Sequence, residues 1–242
     1  MTRYWTVLLI LLAGGCAGNA EFDRTAMRAT LGIAEIPAAQ QASAVVHADM
    51  PNPSYPLRLA LYFVERDMPI RHKVQMARWM DSEKDTLLKR LAPLQHEGIV
   101  ADTFLLADST IHGYDVPKIR QAAARYNADA VLIVEGVGTV DRYNNGYAAW
   151  YVTLIGAYVA PGTVSDALFM IHSNLWDART ERLYATQTVE GRSTLAGSAR
   201  FLEDGQVLAL AKTAALEDLA RKVAEELIRS KDGKSSSSDR IR

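Results

Sequence analysis

The chain of 242 residues holds one cysteine, Cys16, so no intramolecular disulfide can form. His47, His72, His96, His112 and His172 stand singly, without H-E-x-x-H spacing, and no second thiol exists to build a Cys/His metal site. Lys and Arg total 27 against 28 Asp and Glu, a net charge of −1 that lacks the basic excess of a nucleic-acid binder. Neither G-x-S-x-G nor a Walker loop occurs. Gly136-Val137-Gly138 follows a strand-like run but lacks the third glycine of a dinucleotide loop. Asp141 to Gly146 then reads as a loop rather than a helix, so no phosphate-binding helix N-terminus is expected. Tight backbone packing at a strand end is the expected role of the two glycines. Gly191 to Ser198 reads as the loop leaving a hairpin. No cofactor, metal or nucleic acid is expected. Missing too is any uninterrupted apolar run of the ~20 residues that a membrane-spanning helix needs.

The first residues are informative. Arg3 supplies one positive charge, Val7 to Leu12 an apolar run, and Ala13-Gly14-Gly15 small residues ahead of Cys16, the order of a secretory signal. Leu12-Ala13-Gly14-Gly15-Cys16 resembles the bacterial lipobox, with Ala13 where the pattern usually has Leu. The resemblance implies cleavage after residue 15 and a diacylglyceryl group on Cys16. Two or three acyl chains hold a protein on its membrane, since each buried methylene contributes about 0.8 kcal/mol. Ala17 after the cysteine implies sorting to the outer membrane, periplasmic side. A lipid-bearing Cys16 is unavailable as nucleophile or ligand.

Residues 16–56 have weak periodicity and two Pro- or Gln-rich stretches, and read as a tether in which a short helix around Asp23 to Leu31 is possible. A single α/β domain is expected over 57–229. Leu57 to Val64 reads as the first core strand. Asp81-Ser82-Glu83-Lys84 starts a helix that carries Leu87, Leu88, Leu91 and Leu94 and is ended by Gly98. Ile99 to Leu106 is the second strand. Asp115-Val116-Pro117 caps and opens a second helix, and Ala130 to Val134 is apolar enough for a strand covered on both faces. The order βαβαβ argues for parallel pairing. Ala167 to Trp176 and Arg182 to Val189 form an antiparallel hairpin around Asp177 to Glu181. A long C-terminal helix, about Gln206 to Arg229, lines up Leu208, Ala211, Ala215, Leu219, Val223 and Leu227. Residues 230–242 read as a disordered tail. The expected fold is α/β, a mixed sheet with three strands in βαβαβ order, then a hairpin and a long helix.

This order resembles a group of envelope folds found in the curli-secretion lipoprotein, lipoprotein activators of penicillin-binding proteins and the amino-terminal domain of the Tol-Pal protein B. The phrases Arg125-Tyr126-Asn127-Ala128-Asp129-Ala130-Val131-Leu132-Ile133 and Asp177-Ala178-Arg179-Thr180-Glu181-Arg182-Leu183 carry the resemblance. Tyr151 to Gly162, Asp166 to Met170 and the Trp176-Asp177 hairpin together resemble the rhombotarget lipoprotein family, whose name reflects genomic association with rhombosortase, a rhomboid-like protease. That resemblance implies a neighbourhood and no mechanism.

Candidate chemistry reduces to two places. Asp102, Asp108 and Asp115 bracket the second strand end, where ligands often bind in α/β sheets, although caps and turns explain them as well or better. Gly146 to Gly162 has almost no polar relief; it is either buried core or a surface for a membrane or partner, and Trp150, Tyr151, Leu154, Ile155 and Tyr158 are its candidate contact residues. The favoured reading is a non-catalytic, lipid-anchored envelope protein whose partner is an unknown envelope protein or another copy of itself. A subunit of an export assembly, and a ligand-binding or hydrolytic domain using the strand-end acids, are the alternatives.

Overall fold

The computed structural model describes residues 22–33, 54–66, 73–107, 111, 115–153 and 155–238. Cys16, the signal peptide and most of the 16–56 segment therefore lie outside the described residues. A mixed sheet forms the centre. Strands β1 (Leu57–Phe63), β2 (Gln75–Met76), β3 (Val100–Leu105), β4 (Ala130–Asn144), β5 (Thr163–Asp177) and β6 (Leu183–Gly197) run in the order β3-β1-β4-β5-β6, with β2 on the edge of β4. β1 pairs in parallel with β3 and with the first five residues of β4, as the βαβαβ order requires. β4 then continues, pairing with β2 and, over its whole length, antiparallel with β5. The helices are α1 (Arg24–Thr30), α2 (Asp81–Leu91), α3 (Pro93–His96), α4 (Val116–Arg125), α5 (Gly156–Val159) and α6 (Asp204–Ser238).

Alternation along the strands divides two faces. Leu57, Leu59, Leu61 and Phe63 of β1 join Leu132, Val134, Phe169 and Ile171 under α2 and α6, whose Leu87, Leu91, Leu219 and Val223 close that core. Ala60, Tyr62, Val131 and Ile133 point the other way, under Ile119 and Ala123 of α4. Farther along the same face, Val137, Leu168 and Met170 lie under Met27 and Leu31 of α1 and its end.

The local phrases have physical causes. Asn127, at φ 58°, turns the chain out of α4 in the left-handed region that Asn tolerates; Ala128 is fully buried, and the Asp129 carboxylate accepts the Arg58 backbone N–H at 2.8 Å. In the β5–β6 turn the Asp177 carboxylate accepts the Arg179 and Thr180 backbone N–H groups at 2.7 and 2.6 Å, and Tyr184 O–H as well. Glu181 sits at φ 63°, a position that glycine fills without strain.

Four expectations need correction. The stretch read as a tether does hold the short helix expected around Asp23 to Leu31, α1, but that helix is docked with Met27 wholly buried, and burying such a side chain contributes about 1.5–3 kcal/mol. Residues 141–144 are strand because Asp141 to Asn144 pair with Asp166 to Thr163, a partner far along the chain. Residues 191–197 are likewise strand, pairing with Phe169 to Thr163. The C-terminal helix passes Arg229 and runs to Ser238, so the tail expected from residue 230 is helical through 238.

Glycine explains how close the layers come. A Cβ at Gly191 would lie 2.0 Å from the Ala211 carbonyl oxygen and 2.4 Å from the Ala215 nitrogen, so α6 crosses β6 almost backbone to backbone. Gly136 and Gly138, within β4 rather than at a strand end, leave room for Phe169, Trp79 and Leu208. Beside them Lys212 of α6 is buried. Its ammonium donates to Glu83 Oε2 at 2.7 Å and to the Arg78 carbonyl, and it lies 4.9 Å from the Trp79 ring centroid. The Glu83 carboxylate also accepts the Met80 N–H at the start of α2, so one ion pair ties α6 to the α2 cap.

Two stability outcomes follow. Gly191→Ala should cost about 3 kcal/mol, the upper end of overpacking, because backbone and not a pliable side chain stands in the way; unchanged urea unfolding would mean that α6 is free to shift. Lys212→Met should cost roughly 3–5 kcal/mol by stranding buried Glu83, and the double variant Lys212→Met/Glu83→Leu should recover most of it. A double variant no better than the single one would mean the pair itself, not the stranded charge, sets the loss.

Candidate interaction surface

The uncharged run 146–162 connects β4 to β5 at the tip of their long hairpin. It begins as a 3₁₀ helix, Gly146–Val152, and includes α5. Asn145 closes its base: its side chain accepts the Tyr147 N–H at 2.9 Å and donates to the Pro161 carbonyl at 2.8 Å, while its backbone N–H reaches the Gly162 carbonyl. Tyr151 is half-buried, its hydroxyl 2.9 Å from Thr163 Oγ1. Gly162 admits the crossing, since a Cβ there would stand 2.6 Å from the Ala148 backbone.

Above that fixed base the apolar side chains face outward. Val152 is 90% exposed, Ile155 74% and Trp150 64%, and Tyr147, Tyr158 and Val159 are exposed with them. Phe201, from the β6–α6 connection, lies with its ring 6.4 Å from that of Tyr158 and extends the apolar surface. Arg142 holds the connection in place by donating to the carbonyls of Leu202 and Ala199 at 3.2 and 2.7 Å. Of the candidate residues, Trp150, Ile155 and Tyr158 face outward, Tyr151 braces the base and Leu154 lies outside the described residues. The described side chains of the run are thus mostly exposed and not part of a buried core. Phe201 escaped the sequence reading because a lone Phe between Arg200 and Leu202 carries no periodic signal.

Of the strand-end acids, the two that are described have separate partners. Asp102, at the start of β3, pairs with Arg58 at 3.4 Å. Asp115 caps α4, accepting the Lys118 N–H, and hydrogen bonding from the Lys118 side chain holds its carboxyl below the usual range. Asp108 lies outside the described residues. A hollow of about 250 Å³ does open at the C-terminal ends of β1 and β3, lined by Phe63, Asp81, Lys84, Leu105, Leu106 and Ala107. It is smaller than the roughly 300–1,000 Å³ of ordinary ligand sites.

A polar strip crosses the sheet between α1 and α4, and only the register reveals it. Glu135, 3% exposed, faces His172 across the β4–β5 pair and accepts from Arg66 at 2.5 Å. His172 Nδ1 lies 3.1 Å from Thr188 Oγ1 and its Nε2 3.3 Å from Asn174 Nδ2, and Asn174 accepts from Thr186. Burial holds the His172 pKa below its ordinary value. Glu135 Oε2, His172, Asn174, Thr186 and Thr188 are hydrogen-bonded along a half-buried sheet face, which gives the strip a structural role. No group of three or more His, Cys, Asp or Glu that could hold a metal ion occurs among the described residues.

The His172 shift has a sign. The unfolded imidazole takes its proton as the pH falls below about 6.5, whereas the folded one resists until lower pH. The neutral ring is therefore compatible with full stability above pH ~6.5, and stability should drop between that value and the lower folded pKa. His172→Gln should remove this part of the acid sensitivity, read as the difference between wild-type and variant urea midpoints from pH 7 to 5. Parallel curves for the two proteins would show that His172 charges without penalty.

No family model matches the chain, and no curated protein does. Solved structures similar to it include a minor lipoprotein from Acinetobacter baumannii at 12% identity, covering 72% of this chain and 91% of that one with a TM-score of 0.37. Others are a PelC dodecamer from Paraburkholderia phytofirmans at 17% identity, 70% and 86% covered, TM-score 0.31, and a lipoprotein from Neisseria meningitidis at 12% identity, 71% and 99% covered, TM-score 0.27. TM-scores this low establish neither a shared fold nor a shared role.

Proposed function

We propose that this chain is a lipid-anchored envelope protein that acts without catalysis, docking through the apolar surface formed by residues 146–162 and Phe201. The observation that carries the reading is an uncharged hairpin tip with a hydrogen-bonded base and outward-facing Trp150, Val152, Ile155 and Tyr158. Contiguous exposed apolar patches of this kind mark interaction sites, because leaving such surface in water is unfavourable. The signal-like first residues and the lipobox resemblance at Cys16 supply the anchor, and Ala17 the outer-membrane address. Resemblance to the rhombotarget family supplies the association with a rhombosortase system. No helix among the described residues is long and apolar enough to cross a membrane.

Cell fractionation and site-specific crosslinking test it together. The wild-type protein should sediment with outer membranes and Cys16→Ser should move to the soluble periplasmic fraction. In the anchored protein a photocrosslinker at Ile155 should capture a lipid or protein neighbour, and Trp150→Ser/Tyr158→Ser should abolish the capture with no change in Tm. A membrane-free wild-type protein would remove the anchor, and capture unaffected by the double substitution would remove the docking surface.

A further inference from the structure

Resting on that reading, we propose that the occupant of the hairpin tip is the lipid surface itself: the tip lies in the headgroup–acyl boundary of the membrane that holds Cys16, fixing the domain's orientation on it. Three observations favour lipid over a protein partner. The first is composition. Residues 146–162 contain no charged side chain and carry three Tyr and one Trp. Protein interfaces also deplete charge at their aromatic cores but surround them with a polar rim, whereas amphipathic rings along a stretch with no charge at all suit the membrane interface. The second is exposure. Val152 and Ile155 are the most exposed of the tip's large apolar side chains and stand open to insertion into an apolar phase.

The third is the length of the leash. Phe22 already packs against the α1 core, and the Arg24 guanidinium is paired with Glu190 at 3.0 Å. Six Cα steps separate Cys16 from Phe22, which span at most about 21 Å however they are arranged. From Glu190 to Gly197, at the tip end of β6, seven strand residues span about 23 Å. The leash is thus shorter than the run of β6 toward the tip, and it holds the domain close against the bilayer instead of reaching out along the strand. Held that close, the domain meets the leaflet that carries the lipid on Cys16 with its long axis inclined to the surface, and anchor and tip each raise the local concentration of the other there.

The test uses full-length lipidated protein reconstituted through its own anchor into vesicles of phosphatidylethanolamine and phosphatidylglycerol, doped with shallow-brominated lipid. Trp150 should be quenched, and the quenching should vanish in Trp150→Phe, which leaves Trp79 buried in the core and Trp176 packed at the opposite end of the β4–β5 ribbon. The Cys16→Ser protein should bind the same vesicles weakly, and Val152→Ser/Ile155→Ser should weaken that binding about tenfold or more with the Tm unchanged. An unquenched Trp150 overturns the lipid assignment. If a crosslinker at Val152 then captures another copy of this chain or a different protein, the docking surface of the proposed function stands with a protein occupant. If it captures nothing and the tip variants are neutral, both readings fall.

Discussion

The antiparallel register between β4 and β5 holds the other parts in place. Fifteen consecutive pairs, Ala130 with Asp177 through Asn144 with Thr163, make one continuous ribbon. Its first third accepts β1 in parallel and so completes the βαβ half. Its middle presents Val137, Leu168 and Met170 to α1, and its far end lifts residues 146–162 beyond the covered part of the sheet. Slipping β5 by one residue would turn its side chains to the opposite face. It would carry Phe169 and Ile171 away from α6, take Leu168 and Met170 from α1, and turn His172 into the apolar core under α6. Register is thus fixed from both faces at once.

The close approach of α6 follows from the same ribbon. Gly136 and Gly138 lie on β4 and Gly191 on β6, either side of β5, and the missing Cβ at each lets Phe169, Trp79 and the helix backbone settle nearer the sheet. Lys212 is buried as a result. Its ammonium finds a carboxylate, a carbonyl and two aromatic faces, compensation that a desolvated cation requires. Small residues in the strands and a paired charge in the helix are two consequences of one short interlayer distance.

What local sequence shows, and what it hides, divides along contact range. α2, α4, the first parallel strands and the β5–β6 hairpin are legible because cap residues and periodicity act within a few positions: Asp115 before Pro117, Gly98 after α3, the apolar run 130–134. Residues 141–144 and 191–197 read as loops because their strand character comes from partners 19 or more residues away. The short seven-residue α1 has too few turns to show a stripe, and its docking depends on Val137 and Met170 far along the chain. Gly191 carries no mark in sequence that a helix will pass over it. The apolar run 146–162 was visible at once, yet its exposure was not, since hydropathy is the same for a buried segment and a projecting one. What separates them is the Asn145 clamp and the position at a hairpin tip, both products of the β4–β5 register.

That separation bears on how a projecting apolar tip can be maintained. The tip touches the core only through its base, where Tyr151, Asn145 and Gly162 are committed to hydrogen bonds and close packing. Trp150, Val152, Ile155 and Tyr158 contribute little to the packed interior, and exposed apolar groups of this size favour association of free molecules in solution. Stability of the fold therefore gives no reason for them to be apolar. Cost and placement together point outward: such a tip is tolerable on a chain whose location is restricted, and the lipobox-like Cys16 lies six residues from the start of the folded unit. In the reading proposed here anchor and tip depend on each other, the anchor keeping the tip from the aqueous phase and the tip giving a lipid tether the orientation that an acyl chain alone cannot impose.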